Sequence, residues 1–374
     1  MIPKRDFMSF PERPTLLGFG CMRLPLNTDG TIDKELAQEM VDQAIAGGVN
    51  YFDTAWPYHG GKSELFIGEA LKKYPRESFY LADKMPARQP SAEAADQLFE
   101  EQLKKCQVEY FDFYLAHGLN ANNFKVFETA GCFDVLMQKK KEGKIKHLGF
   151  SYHDNLEALQ TFLDAHPWEF VQMQLNYVDW QSSDAKSQYE LIVSRGLPVL
   201  VMEPVRGGAL ANLKDDALAL LKEMDETASA ASWAIRYAAS MPGVMTVLSG
   251  MTTPDQIADN LNTMQNFCAL HEAEMQTLEK VAQIFRASGA IPCTGCRYCM
   301  DCPAGVDIPR VFAAYNMYRN TMQDNSFKNI YRTLLPSQRA EHCVGCGACV
   351  IQCPQGIDIP AQMQLIAEYA AKVM

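Results

Sequence analysis

Two groups of residues in this chain have types and spacings that could do chemistry. The first is a set of thiols. Of twelve cysteines, Cys21, Cys106, Cys132 and Cys268 are scattered, and the other eight fall between Cys293 and Cys353. They form two runs, Cys293-Thr-Gly-Cys296-Arg-Tyr-Cys299-Met-Asp-Cys302-Pro303 and Cys343-Val-Gly-Cys346-Gly-Ala-Cys349-Val-Ile-Gln-Cys353-Pro354. Three thiolates at x2 spacing can wrap one face of a [4Fe–4S] cube, and the glycine between them lets the backbone approach a sulfide. A fourth ligand then comes from beyond the next turn, beside a proline. Zinc sites usually use two CxxC units a dozen or more residues apart, which this spacing does not match. The second group is Asp53, Tyr58, Lys84 and His117, which could together move a proton. An ordinary tyrosine, with a pKa of about 10, is too weak an acid at neutral pH. A neighbouring lysine cation lowers that value, and an aspartate keeps the lysine charged and in place. A histidine can orient and donate to a carbonyl oxygen.

The elements that must position these residues are legible in the hydrophobic pattern. Apolar runs suited to buried parallel strands lie at 15–20, 49–54, 78–84, 110–116, 145–151, 169–175, 197–202 and 243–249. They recur at intervals of roughly 30 residues, the length of a strand–helix unit. Helix-period stretches separate them. In 34–46, Leu36, Met40, Val41, Ala44 and Ile45 share one stripe and Gly47-Gly48 ends it; in 254–262, Pro254 opens a helix carrying Ile257, Ala258 and Leu261. This alternation predicts an α/β fold, a (β/α)8 TIM barrel, over residues 1–286. A doubly wound sheet is the alternative, but Gly18-Phe19-Gly20-Cys21-Met22 is no GxGxxG opening a helix. Barrel chemistry sits at the C-terminal strand ends. Asp53 and Tyr58 follow strand 2, Lys84 ends strand 3, His117 strand 4, Ser151 strand 5 and Gln174 strand 6. Singly, each has a structural explanation as a cap, a rim packer or a core histidine; their coincidence at one mouth favours function.

Here the chain resembles a known family. Asn50-Tyr51-Phe52-Asp53-Thr54-Ala55-Trp56-Pro57-Tyr58, Gly61-Lys62-Ser63-Glu64 and Ile67-Gly68-Glu69-Ala70-Leu71 look like the aldo/keto reductase signature. Gly143-Lys144-Ile145-Lys146-His147-Leu148-Gly149-Phe150-Ser151 resembles the family's strand 5 motif. The resemblance runs from about Gly18 to Asn260. It implies a barrel that passes hydride between a nicotinamide, NAD(H) or NADP(H), and a small carbonyl or alcohol. It makes Tyr58 the general acid/base, tuned by Lys84 and Asp53, with His117 orienting the carbonyl. Ser151 and Gln174 are expected to hold the carboxamide, and Gly20, Cys21 and Met22 to lie beside the nicotinamide and substrate. Met202 takes the place of the family's usual stacking tyrosine, and Tyr152 follows Ser151 where Asn is common. Gly250 and Gln256 stand where NADP-preferring members carry Lys and Arg, so NAD is slightly favoured. Arg206, before Gly207-Gly208, is the nearby cation that could compensate, and Asn260 fits the adenine-contacting position. His59 and Trp56 flank Tyr58 and are expected at the substrate mouth.

Residues 287–374 read as a separate, mainly helical ferredoxin-like domain with two [4Fe–4S] clusters. The second cysteine run has the bacterial ferredoxin spacing C-x2-C-x2-C-x3-C-P, and the first is one residue short. Cys-Pro-Ala-Gly-Val-Asp-Ile-Pro309 and Cys-Pro-Gln-Gly-Ile-Asp-Ile-Pro360 extend the likeness into an internal repeat offset by 50 residues. By the two-cluster ferredoxin rule, the fourth cysteine of each run crosses over. Cys293, Cys296, Cys299 and Cys353 then hold one cluster, and Cys343, Cys346, Cys349 and Cys302 the other. Between them, Val311, Phe312, Tyr315, Met317 and Tyr318, then Phe327, Ile330, Tyr331 and Leu334, suggest helices packed around the clusters. Asp307 and Asp358 ahead of Pro309 and Pro360 mark helix starts, and 361–373 is amphipathic.

Composition bounds the rest. Of 374 residues, 48% are hydrophobic and 21% charged, which excludes disordered and collagen-like chains. The net charge of −11 disfavours nucleic acid and anionic membranes as partners. No apolar run is long enough to span a bilayer, and Met1–Phe10 lacks a signal peptide's apolar stretch. The chain is therefore expected in the cytoplasm, where disulfides are rare and a tight cysteine cluster reads as metal ligation. The run Lys139-Lys140-Lys141-Glu142-Gly143-Lys144 reads as a solvated helix end, or as a docking patch for an electron-carrier protein. The reading is a two-part oxidoreductase. Its alternative is an iron-sulfur electron-transfer or redox-sensing protein whose barrel is mainly a scaffold.

Overall fold

The computed structural model describes residues 1–7 and 10–374. Contacts divide it into two compact units, Met1–Pro204 with Ser232–Leu270, and Val205–Ala231 with His271–Met374. Val205–Ala231 and the helix Glu272–Ala287 thus group with the cysteine-rich segment.

The first unit contains a closed parallel barrel of eight strands in sequential order. They are β1 (Leu17–Gly20), β2 (Tyr51–Asp53), β3 (Tyr80–Pro86), β4 (Phe111–Leu119), β5 (Ile145–Tyr152), β6 (Phe170–Gln174), β7 (Val199–Met202) and β8 (Val244–Gly250). Each overlaps an apolar run picked out from the sequence, because strands covered on both faces must be apolar almost throughout. The barrel interior is filled by Tyr51, Phe113, Leu115, Phe170, Leu200, Met245 and Leu248. The helix Lys34–Ala46 begins where Asp33 accepts a hydrogen bond from the Leu36 N–H, and Gly48, at φ +97°, ends it. The helix Pro254–Gln265 starts at Thr253, with Pro254 in its first turn.

In the second unit the helices Ile308–Thr321 and Ile359–Val373 begin at Asp307 and Asp358. Each aspartate accepts from a backbone N–H of the first turn, just beyond a proline that needs no partner there. These helices and Asp324–Tyr331 bury Val311, Phe312, Tyr315, Phe327, Tyr331, Met363 and Ile366 in one core. Cys293, Cys299, Cys302, Cys343, Cys349 and Cys353 pack against it. Met317, expected in that stripe, is instead 40% exposed. Among the described residues, no helix is long and apolar enough to cross a membrane.

Candidate active site and thiolate cleft

β2, β3 and β4 bring the candidate proton-moving residues together at their C-terminal ends. Gly20, Asp53 and Ala82 are neighbours across β1–β3, and Pro86 lies opposite His117. The Lys84 ammonium is fully buried. It donates to Asp53 Oδ1 at 2.5 Å, to the Thr54 carbonyl at 2.6 Å and to the Tyr58 hydroxyl at 3.4 Å. The Tyr58 and His117 rings meet edge to face, 5.9 Å between centroids. Burial raises the Asp53 carboxyl's pKa, while Lys84 and a hydrogen bond from Gln172 oppose that. Burial and the Lys84 cation hold His117 well below the usual histidine range, so at neutral pH its imidazole is uncharged. Such a ring can donate one hydrogen bond without adding charge to the site.

One supporting residue, Gln172, was missed in the sequence. Gln172 Nε2 donates to Asp53 Oδ2 at 3.2 Å, so both oxygens of the aspartate are engaged. It lies two residues before Gln174 on β6, hence on the same face; that alternation was the available signal. His59, expected at the substrate mouth, contacts the Cys21 carbonyl at 3.2 Å, and Ser63 Oγ donates to the same oxygen. His59 takes left-handed φ 52° and pins the turn carrying Tyr58 to the β1 end. Trp56 packs beneath the Lys105 ammonium, 3.5 Å from the ring centre.

The candidate cofactor residues fall into two sets. Gly20 and Gly250 end β1 and β8 in register. A Cβ on Gly20 would meet the Ser249 carbonyl at 3.3 Å, and one on Gly250 the Arg23 stem at 3.1 Å. These glycines keep the rim closely packed on itself; what fits the nicotinamide chemistry implied by the resemblance is the Asp53, Lys84 and Tyr58 group next to Gly20. Arg23 also pairs with Glu203 at 3.4 Å, an arrangement no local motif announces. Cys21 is buried and its thiol pKa is raised by that burial; Met22 is partly buried beside it. Ser151 Oγ accepts from the Gly118 N–H at 2.9 Å, fixing the turn after His117. Gln174 donates to Asp179 at 2.6 Å, opposite Met202 on β7. Gln256 accepts from the Thr252 N–H, and Asn260 donates to Ser249 at 2.8 Å. Arg206, Gly207 and Gly208 group instead with the second unit. There the Arg206 guanidinium lies 5.9 Å from the Phe285 ring centre.

In the second unit, Cys293, Cys296, Cys299 and Cys353 line one cleft, with Thr294, Arg297, Phe312, Gln352 and Gln355 around them. Burial and the charges of Cys296, Cys293 and Cys353 push the Cys299 thiol up to about 12. Burial also raises Cys349, whose charged neighbours are Cys302, Cys343 and Cys346. Each thiol group therefore contains one member of the other cysteine run. Thiols crowded this way repel as thiolates and fit a multivalent cationic core, which would offset that repulsion. No disulfide links cysteines among the described residues. Among those residues, no three His, Cys, Asp or Glu side chains gather tightly enough to hold a single metal ion. The basic run is paired: Lys139 with Asp96 and Glu100, Lys140 with Glu169, and Lys144 with Glu100. That favours the helix-end reading.

The barrel and its family match make the protein an oxidoreductase. The chain belongs to the aldo/keto reductase family, whose model matches residues 16–283, and a 4Fe-4S dicluster domain matches residues 292–357. An aldo-keto reductase of Glycine max is 27% identical over 201 residues, 51% of this chain and 56% of that one. The NADH-specific methylglyoxal reductase of Escherichia coli (strain K12) is 23% identical over 301 residues, 68% of this chain and 90% of its own. Among solved structures, the holo form of a Bacillus halodurans aldo-keto reductase superposes with TM-score 0.64 and 26% identity, covering 75% of this chain and 96% of that one. A Klebsiella pneumoniae aldo-keto reductase in complex with NADPH shares the fold at TM-score 0.63 and 16% identity, over 75% of this chain and 95% of that one.

Proposed function

We propose that the barrel exchanges hydride between a nicotinamide cofactor and a small carbonyl or alcohol at Tyr58. The observation that carries this is the buried Lys84 ammonium shared by Asp53 and Tyr58 beside an uncharged His117. A nicotinamide, when bound, supplies or accepts the hydride. In the reducing direction Tyr58 gives its proton to the carbonyl oxygen as hydride reaches the carbon, and an alcohol results. The developing tyrosinate is stabilised by Lys84, whose own charge is balanced by Asp53. His117 donates to the substrate oxygen and orients it. The reverse direction uses the same groups, with Tyr58 taking the alcohol proton. NAD(H) is favoured over NADP(H): Gly250 and Gln256 offer no cation to a 2′-phosphate, and the E. coli relative is named NADH-specific.

The domain at 287–374 holds two [4Fe–4S] clusters, one on Cys293, Cys296, Cys299 and Cys353, the other on Cys343, Cys346, Cys349 and Cys302. They serve one-electron transfer, to an electron-carrier protein, or redox sensing, in the reducing cytoplasm. Tyr58→Phe is expected to cut carbonyl reduction by roughly 10²–10⁴-fold while the cluster spectrum stays intact. Retained turnover would refute the role of Tyr58.

The second reading makes the barrel a scaffold for an iron-sulfur protein. In its favour, Ser151, Gln174 and Asn260 all bond within the chain. Titration with NADH and NADPH separates the two: binding of neither supports the scaffold.

A further inference from the structure

The two cysteine runs fold alike, and one position departs from the likeness. Gly295 and Gly345 take φ +67° and +68°. Two residues on, Arg297 takes φ +67° and its counterpart Gly347 +75°. The same turn closes on each: the Met300 N–H donates to the Arg297 carbonyl at 3.1 Å, and the Val350 N–H to that of Gly347 at 3.0 Å. This turn requires a left-handed backbone, which glycine adopts without strain and arginine does not. A Cβ on Gly347 would meet nothing within 4 Å, so crowding does not explain the choice there. Residues held in unfavourable conformations at a site of chemistry point to a functional reason. Arg297 is exposed, and it lines the cleft shared by Cys293, Cys296, Cys299 and Cys353.

We infer that Arg297 sets the reduction potential of the cluster on Cys293, Cys296, Cys299 and Cys353 above that of its partner, so that electrons collect there. The inference rests on the two-cluster reading proposed above. A [4Fe–4S] core with four thiolates is net negative and gains one more negative charge on accepting an electron. A fixed cation beside it favours the reduced form, and net charge is one of the factors that set such potentials. Because Arg297 is exposed, the bias weakens with ionic strength. The other loop has glycine at this position and no such cation.

The test is a potentiometric EPR titration of the whole protein, purified without oxygen and poised with dithionite and mediators. Arg297→Gly is expected to lower the reduced-to-oxidised ratio of one cluster at fixed potential by about threefold. That corresponds to about 28 mV at 59 mV per tenfold for a one-electron couple. The second cluster should not move, Arg297→Lys should keep most of the bias, and high salt should shrink the difference. Gly347→Arg should raise the other potential instead. Unchanged potentials, or equal shifts of both clusters in Arg297→Gly, overturn the inference. Iron and sulfide counts on the parent protein test its foundation separately. About four irons instead of about eight would mean that the two-cluster reading itself had failed.

Discussion

The segment after β7 offers a controlled test of how the cysteine-rich unit is held together. Gly207 and Gly208 are adjacent and both left-handed, at φ +67° and +91°. A methyl group on Gly207 would overlap the Thr294 carbonyl oxygen and come within 2.6 and 2.7 Å of its carbonyl and α carbons. A methyl group on Gly208 would meet nothing within 4 Å. Alanine at either position incurs the left-handed penalty, roughly 1–2 kcal/mol. Only at Gly207 does backbone meet backbone, where no side chain can swing aside, adding roughly 1–3 kcal/mol. Thr294 directly follows Cys293, so the added strain falls on the ligand loop. Gly207→Ala is therefore expected to release iron to a chelator roughly tenfold faster or more, at about 1.4 kcal/mol per tenfold. Gly208→Ala should lose only general stability and keep its iron content. The assay is anaerobic iron release followed by absorbance, with both variants at one temperature. Equal release rates would refute the claim that Gly207 is glycine because Thr294 lies against it.

Other expectations follow from the barrel and the thiols. Gln172→Leu leaves the buried Asp53 Oδ2 without its donor, costing roughly 1–3 kcal/mol. Because that hydrogen bond holds the Asp53 pKa down, the acid limb of kcat/KM should move to higher pH; an unmoved profile would refute the positioning role. Asp83 is buried, and its pKa is raised by that burial and by Glu64, against the opposing Lys84 and a hydrogen bond from the Cys106 thiol. An acid raised in the folded state makes stability fall as pH climbs from the unfolded value of about 3.9 towards the folded one, by at most about 1.4 kcal/mol per pH unit for one proton. Asp83→Asn should flatten that fall, read as urea midpoints at pH 5, 6.5 and 8; parallel curves would count against it. Cys353→Ala should abolish the cluster of the first cysteine run, and Cys302→Ala that of the second, each seen as loss of one EPR signal. Loss of the opposite signal would refute the crossed assignment.

Much of the architecture was legible because its signals are local. Eight apolar runs became eight strands, since strands covered on both faces have little freedom in composition. Asp307-Ile308-Pro309 and Asp358-Ile359-Pro360 began helices because a cap and a proline act within one turn. Asp53, Tyr58, Lys84 and His117 could be placed together because a barrel fixes where each strand ends. What could not be read depends on contacts distant in sequence. Arg23 reaches Glu203 and lies over Gly250 only because β1 closes the barrel against β8. Arg206–Gly208 grouped with the cysteine-rich unit, since the partner of Gly207 is Thr294, 87 residues on. The left-handed turn at Arg297 belongs to both kinds. Its glycine counterpart stands in plain view in the repeat, yet the backbone that makes arginine costly there exists only in the fold. A departure from a repeat carries functional weight only once the geometry shows what the departing residue must endure.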